Sequence, residues 1–283
     1  QLWQEALGRA RGEEFSVAKL KQLTEQRGYI RDAERPGEVT KRDVLLREWE
    51  IVQTAKEGVG DCWPLVANPL PTNPKLDDEQ RKALEGLLAS TNLVSIFRGG
   101  AGTGKSFVLH ELVGQLRLAG RPVAVLAPQR QQVVDMEKAG FPFPATIASF
   151  LTKGELAERA VLVVDEAGQL GGRQMLELLR LARNRSARVV LSGDTRQHGA
   201  VEASDALLAI ERHAGVTPVE LHKIRRQDPA LGHDAEERTR IKRYRKAVEL
   251  AAAGKMGESF ERLDKMGAVI ACGVGEQAEK LAD

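Results

Sequence analysis

The sequence has little cysteine, almost no excess of charge and no long apolar run. Its two cysteines, Cys62 and Cys272, lie far apart without metal-type spacing, which suits a reducing cytosol and supports neither a disulfide framework nor a zinc site. No apolar stretch approaches membrane-spanning length and no signal-peptide pattern opens the chain, so we expect a cytoplasmic protein without a membrane partner. The formal net charge of +2 means that any nucleic-acid surface must be a local patch.

Aromatic residues are also scarce, at 4% of the chain. The three tryptophans, Trp3, Trp49 and Trp63, all precede the main apolar segments, and we interpret them as packing anchors instead of base-stacking residues. A length of 283 residues suffices for one substantial core with one or two small satellites.

A glycine-rich loop stands out against this background. The apolar run 93–97 is followed by Gly99-x-x-x-x-Gly104-Lys105-Ser106 and then by apolar residues at helical spacing. A strand, a loop and a helix in this order wrap backbone N–H groups around the phosphates of ATP or a close relative, with Lys105 reaching the β and γ phosphates and Ser106 ligating Mg²⁺. The alternative is a glycine-rich turn with an ordinary surface lysine and no nucleotide-binding role. The predicted nucleotide-binding residues of the loop are Gly99, Gly100, Ala101, Gly102, Thr103, Gly104, Lys105 and Ser106.

The rest of the chain predicts an α/β fold with a doubly wound, mainly parallel sheet. Residues 1–62 are charged and amphipathic, typical of a small helical leader domain, and the prolines within 63–75 predict an extended linker. Over 76–227, apolar strand patterns alternate with helical patterns, which favours a parallel sheet. The predicted strands after the loop are 123–127, 161–164 and 189–192, and the predicted helices are 129–139, 172–185 and 204–213.

Two carboxylates, Asp165 and Glu166, follow the apolar strand 161–164. Ligands gather beyond the carboxyl ends of parallel strands, where Asp165 would hold Mg²⁺ and Glu166 would orient and polarise the attacking water. Alone, such a pair is more often a helix N-cap. The phosphate loop earlier in the chain favours the catalytic interpretation.

Two glutamines are further candidates. Gln197 lies three residues after Asp194, where its carboxamide could sense the γ-phosphate; the alternative is a polar turn capped by Asp194. Gln80 could pair with the N6 and N7 edge of adenine. Asp77 with Gln80 three residues later also predicts a capping box at a helix start, and both interpretations of Gln80 can hold together.

With these elements in order, the chain resembles superfamily 1B DNA helicases of the RecD-like branch over about 76–227. Residues 192–207 resemble, more narrowly, the helicase portion of MobF-type conjugative relaxases. The resemblance implies a RecA-like P-loop NTPase fold, ATP and Mg²⁺ as cofactors, and single-stranded DNA as partner. The segments that carry it are Gln80, Gly99–Ser106 as motif I, Ala127–Arg130 as motif Ia, Asp165–Ala167 as motif II and Gly193–Gln197 as motif III.

The resemblance also assigns contacts. In Ile224–Gln227, which is similar to motif IV, Arg226 would contact the γ-phosphate; its alternative is part of a basic surface turn. Ala148 stands where the family usually has histidine. Residues 228–283 would be the helical start of a truncated second motor domain. The implied DNA-binding residues are Pro128, Gln129, Arg130, Thr146 and Ser149.

The sequence therefore predicts an ATP-dependent DNA helicase motor domain, and the resemblance implies 5′ to 3′ movement. The alternative is a non-motor module for single-stranded DNA binding or assembly with a vestigial ATPase, although Lys105, Asp165 and Glu166 are intact. Because the chain starts at Gln1 and lacks segments resembling motifs V and VI, we expect a piece of a longer polypeptide that acts with other conjugation proteins and hydrolyses ATP slowly alone. The basic run 238–246 around Tyr244 favours a solvated face over a DNA groove.

Overall fold

The computed structural model describes residues 22, 29–31, 39–100, 102–194, 205–223, 225, 233–252 and 254–269. The predicted site residues Ala101, Gln197 and Arg226 lie outside the described residues. The chain divides into two compact units. The first comprises Gln1–Gly99 with Lys105–Leu221, and the second comprises Gly100–Gly104 with His222–Asp283.

The first unit is built on six strands whose pairings are all parallel. Before them, β1 (Tyr29–Arg31) and β2 (Val39–Lys41) form a separate antiparallel pair. The six strands are β3 (Val94–Gly99), β4 (Val123–Ala127), β5 (Ala145–Thr146), β6 (Val161–Val164), β7 (Arg188–Gly193) and β8 (Val219–Leu221). Their order in the sheet is β5-β4-β6-β7-β3-β8, so β7 lies between β6 and β3. The predicted α/β fold with a doubly wound parallel sheet is confirmed.

Nine helices belong to the described part of the chain. Polar caps set several of their starts: Asp77 and Gln80 form the predicted capping box, and Thr146 and Asp205 each accept a backbone N–H at a helix N-terminus. None of these helices combines the length and apolarity needed to cross a membrane. They are α1 (Arg42–Glu57), α2 (Asp78–Ala89), α3 (Lys105–Leu118), α4 (Arg130–Lys138), α5 (Ile147–Lys153), α6 (Gly172–Asn184), α7 (Ala206–His213), α8 (Ala235–Ala252) and α9 (Met256–Lys265).

Buried apolar side chains form a core on each face of the sheet. Along β6, Leu162 and Val164 point to the core shared with α1, α6 and α7, while Val161 and Val163 point to the core shared with α2, α3 and α4. All four side chains are fully buried, as expected of a strand covered on both faces. The two cores hold the carboxyl ends of the strands in fixed register.

Helix α1 is part of this first unit, whereas the sequence predicted a separate leader domain. Ile51 and Ala55 are buried in the sheet's core. On the surface, Glu50 accepts two hydrogen bonds of 2.7 Å from Arg180 of α6. The described residues of 1–62 also include the paired strands β1 and β2. The sequence did not predict these strands, because a segment of three residues is too short to show a periodic pattern. The first unit ends at Leu221, whereas the sequence placed the boundary at 227.

Candidate nucleotide-binding and hydrolysis site

The glycine-rich loop joins the carboxyl end of β3 to the start of α3. In the first unit, the Lys105 ammonium donates a hydrogen bond to the backbone oxygen of Gly99, which ties the two ends of the loop together. Lys105 is buried, with 9% of its surface exposed, and Ser106 is exposed. Gly102 and Gly104 have φ angles of 76° and 85°, which side-chain-bearing residues rarely adopt. The glycines are therefore required by the path of the loop.

In the second unit, an arginine that the sequence did not single out holds the middle of the loop. The Arg225 backbone N–H donates to the oxygen of Gly102 at 2.7 Å, and its guanidinium donates to the oxygen of Thr103 at 2.6 Å. The Thr103 hydroxyl in turn donates to the oxygen of Gly100 at 2.9 Å. One arginine within a basic run carries no sequence signal for such a contact.

Asp165 lies directly after β6 and is oriented by the neighbouring strand. Its Oδ1 accepts a hydrogen bond from the Ser192 hydroxyl at 2.9 Å and another from the Glu166 backbone N–H at 3.0 Å. Ser192 is fully buried on β7. A buried donor of this kind fixes the carboxylate in one direction, which suits a metal ligand.

Glu166 is held in an unusual backbone conformation, with φ of 52° and ψ of 38°. Burial raises the pKa of its carboxyl above the ordinary value, the charges of Asp165 and Asp194 raise it further, and the Lys105 ammonium opposes them. A carboxylate with a raised pKa is a better proton acceptor for an attacking water. The structure thus brings Lys105, Asp165 and Glu166 within electrostatic reach of one another.

The backbone after β7 packs against the turn that follows the carboxylates. A Cβ atom placed on Gly193 would lie 3.2 Å from the nitrogen of Gly168 and 3.4 Å from the nitrogen of Ala167. This approach is closer than an ordinary side-chain contact. Glycine at position 193 therefore lets the end of β7 approach the turn that follows Glu166.

Gln80 is buried, with 4% of its surface exposed. Its Oε1 accepts the Asp77 backbone N–H at 3.2 Å, and Asp77 Oδ1 accepts the Gln80 backbone N–H at 3.0 Å. The predicted capping box is confirmed. The adenine contact of Gln80 stays a prediction.

The predicted DNA-binding residues lie on two neighbouring strand ends. In the sheet register Ala127 of β4 pairs with Thr146 of β5, so the loop that begins at Pro128 lies beside the start of α5. Arg130 and Ser149 are exposed there. The Thr146 hydroxyl accepts the Ser149 backbone N–H at 3.2 Å, and the Gln129 side chain donates to Gln169 Oε1 at 2.9 Å.

A divalent metal can be tested against this donor set. Within the described ranges, no group of three or more histidine, cysteine or carboxylate side chains could hold a metal. Mg²⁺ does not require such a cluster, because it is commonly held by one or two carboxylates with water and substrate phosphates. The oriented carboxylate of Asp165 and the exposed hydroxyl of Ser106 fit that pattern.

Comparison with known proteins agrees with the phosphate-loop architecture. Residues 75–273 match the family model described as "AAA domain". Three curated relatives are the probable conjugal transfer protein TraA of Sinorhizobium fredii, 25% identical over 65% of this chain, the multifunctional conjugation protein TraI of Escherichia coli, 26% over 69%, and the ATP-dependent RecD2 DNA helicase of Deinococcus radiodurans, 32% over 60%. The predicted resemblance to RecD-like helicases and conjugative relaxases is confirmed.

The relatives are much longer proteins. The chain covers 18% of the TraA protein, 12% of the TraI protein and 24% of the RecD2 helicase. The similarity therefore concerns one segment of each relative.

Proposed function

The chain belongs to the AAA domain family, and from this premise we propose that it is an ATP-hydrolysing motor domain of a DNA helicase that moves 5′ to 3′ on single-stranded DNA. We further propose that it acts in the cytoplasm within a longer conjugative relaxase–helicase polypeptide. The observation that carries the proposal is the set formed by Lys105, Asp165 and Glu166, with Asp165 oriented by Ser192. The relatives that are named as conjugation proteins and as a DNA helicase support DNA as the substrate along which the motor moves.

In this proposal the loop binds the ATP phosphates and Lys105 supplies positive charge to the β and γ phosphates. Glu166 positions the attacking water and accepts its proton, for which its raised pKa is suited. Asp165 and Ser106 would hold Mg²⁺, which neutralises phosphate charge when bound. Gln197 and Arg226 are proposed to contact the γ-phosphate.

Single-stranded DNA is proposed to bind across Pro128, Gln129, Arg130, Thr146 and Ser149. Backbone N–H groups, hydroxyls and an exposed arginine are the groups that usually contact DNA phosphates without reading sequence. The side-by-side position of the β4 and β5 ends supports one continuous path for the strand.

The test is ATP turnover with and without oligothymidylate, by this chain and by the longer polypeptide to which the proposal assigns it. We expect DNA to stimulate ATP turnover by the longer form strongly and the short chain to turn over ATP slowly. An arginine that a second motor domain supplies to the transition state can raise turnover roughly 10³-fold or more. Lys105→Ala and Glu166→Gln should abolish turnover in both. If neither form responds to DNA, the chain is a binding or assembly module and the motor proposal is wrong.

A further inference from the structure

Three glutamine side chains form a hydrogen-bonded group in the first unit, which we call the carboxamide cluster: Gln129, Gln132 and Gln169. Gln169 Oε1 accepts one hydrogen bond from Gln129 Nε2 at 2.9 Å and a second from Gln132 Nε2 at 3.0 Å. Gln132 Oε1 accepts the Gln129 backbone N–H at 2.9 Å, so both ends of the Gln132 side chain are engaged.

The cluster joins two segments that follow neighbouring strands. Gln169 ends the 3₁₀ turn Ala167–Gln169, which begins immediately after Glu166, and the Gln169 backbone N–H donates to the Glu166 oxygen at 3.0 Å. Gln129 is the N-cap residue of α4, directly after Pro128. Because β6 pairs with β4, the turn beside the carboxylates and the segment 128–130 lie next to each other.

Gln169 is the acceptor that connects the start of α4 to the Glu166 turn. A carboxamide oxygen can accept two hydrogen bonds, and here it accepts one from the N-cap residue of α4 and one from the first turn of that helix. Replacing that oxygen by an apolar group removes the acceptor that the two amide groups share and releases the segment 128–130 from the turn. The backbone of the turn would remain closed by its own hydrogen bond to Glu166.

We propose that Gln169 is a positioning residue for single-stranded DNA binding: it holds the segment 128–130 against the Glu166 turn in the arrangement that DNA requires. This inference rests on the proposed function, since it concerns the same DNA site. In this proposal Gln169 itself contacts neither DNA nor the nucleotide.

The test compares Gln169→Met, Gln132→Met and the double variant with Gln131→Met. Gln131 is a matched control because it lies on the same helix but its Nε2 donates to Asp135, outside the cluster, at 3.1 Å. The affinity for fluorescent oligothymidylate is measured by anisotropy, the affinity for a fluorescent ATP analogue by titration, and folding by the melting temperature.

We expect Gln169→Met and Gln132→Met each to weaken DNA binding about five- to tenfold, because each removes two side-chain hydrogen bonds of the cluster. The double variant should lose less than the sum of the two single losses, because both substitutions remove the hydrogen bond between Gln132 and Gln169. ATP-analogue affinity should change less than about twofold, and Gln131→Met should behave like the unchanged chain in every assay.

Wild-type DNA affinity from Gln169→Met overturns the inference. So do additive losses in the double variant, which would indicate separate contacts with DNA, and equal losses of DNA and nucleotide affinity, which would indicate a general structural role. If Gln169→Met does not fold, Gln132→Met alone decides by the same criteria. If the unchanged chain binds no DNA, the proposed function fails instead.

Discussion

The buried hydroxyl of Ser192 on β7 donates a hydrogen bond of 2.9 Å to Oδ1 of Asp165, the residue that directly follows the neighbouring strand β6. This hydrogen bond controls the direction of the Asp165 carboxylate, which is the predicted metal ligand. We predict that Ser192→Ala costs about 1 kcal/mol of unfolding free energy and raises the Mg²⁺ concentration for half-maximal turnover about tenfold.

Ser95→Ala is the matched control for that substitution. Ser95 is also a buried serine in the sheet, but its hydroxyl is hydrogen-bonded to Ser90 at 2.8 Å. Its loss should lower stability by a similar amount while the Mg²⁺ titration stays unchanged. A shifted titration in the control, or none in Ser192→Ala, would contradict the assignment.

Glu166→Gln tests the raised pKa of the Glu166 carboxyl. A carboxyl whose pKa is higher in the folded than in the unfolded chain destabilises the fold once it ionises, so stability falls as pH rises from the ordinary value through the folded one. We therefore expect Glu166→Gln to raise the melting temperature at neutral pH but not at pH values below the ordinary carboxyl pKa.

The same variant should lose at least about 10²-fold in ATP turnover while still binding nucleotide. Thermal melts across the pH range and a nucleotide titration check both parts. A melting temperature that falls at neutral pH would show that the ionised carboxylate is stabilising, against the account.

Gly193→Ala tests the close approach of the strand end to the carboxylate turn. The added methyl group would lie 3.2 Å from the Gly168 nitrogen, so the turn carrying Glu166 must shift. We predict a loss of about 1–3 kcal/mol in stability and a large fall in turnover. Gly114→Ala, where a Cβ meets nothing within 4 Å in the middle of α3, should instead gain about 1 kcal/mol and keep its activity.

Arg225→Ala removes the guanidinium that donates to the Thr103 oxygen in the phosphate loop. Losing this contact frees the loop before nucleotide binds, and we predict an ATP affinity about tenfold weaker. Isothermal titration with a non-hydrolysable analogue measures it. Arg243→Ala, an exposed arginine on α8, should leave the affinity unchanged; an equal loss there would mean that net charge alone is responsible.

Local sequence was sufficient to predict β4 and β6 to the residue, because a run of β-branched and leucine residues between turn signals has one interpretation in a parallel sheet. The Asp77–Gln80 spacing likewise predicted the capping box. The edge strands β5 and β8, of two and three residues, are too short to show a pattern. Their pairing is decided by the strands beside them.

What the sequence could not supply is the order of the strands. The contact between Ser192 and Asp165 exists because β7 pairs with β6, and the carboxamide cluster exists because β6 pairs with β4. Neither adjacency follows from the distance along the chain. The packing of α1 in the first unit was missed for the same reason, because α1 contacts α6, which lies more than a hundred positions further along the chain.

A DNA motor requires that ATP at this site and single-stranded DNA on the β4 and β5 ends influence each other. The most direct measurement is the affinity of Glu166→Gln for labelled oligothymidylate in saturating ATP and in saturating ADP, with Lys105→Ala as the control. This coupling predicts DNA affinities that differ at least about fivefold between the two nucleotides in Glu166→Gln and not in Lys105→Ala. Equal DNA affinities in ATP and ADP would contradict it.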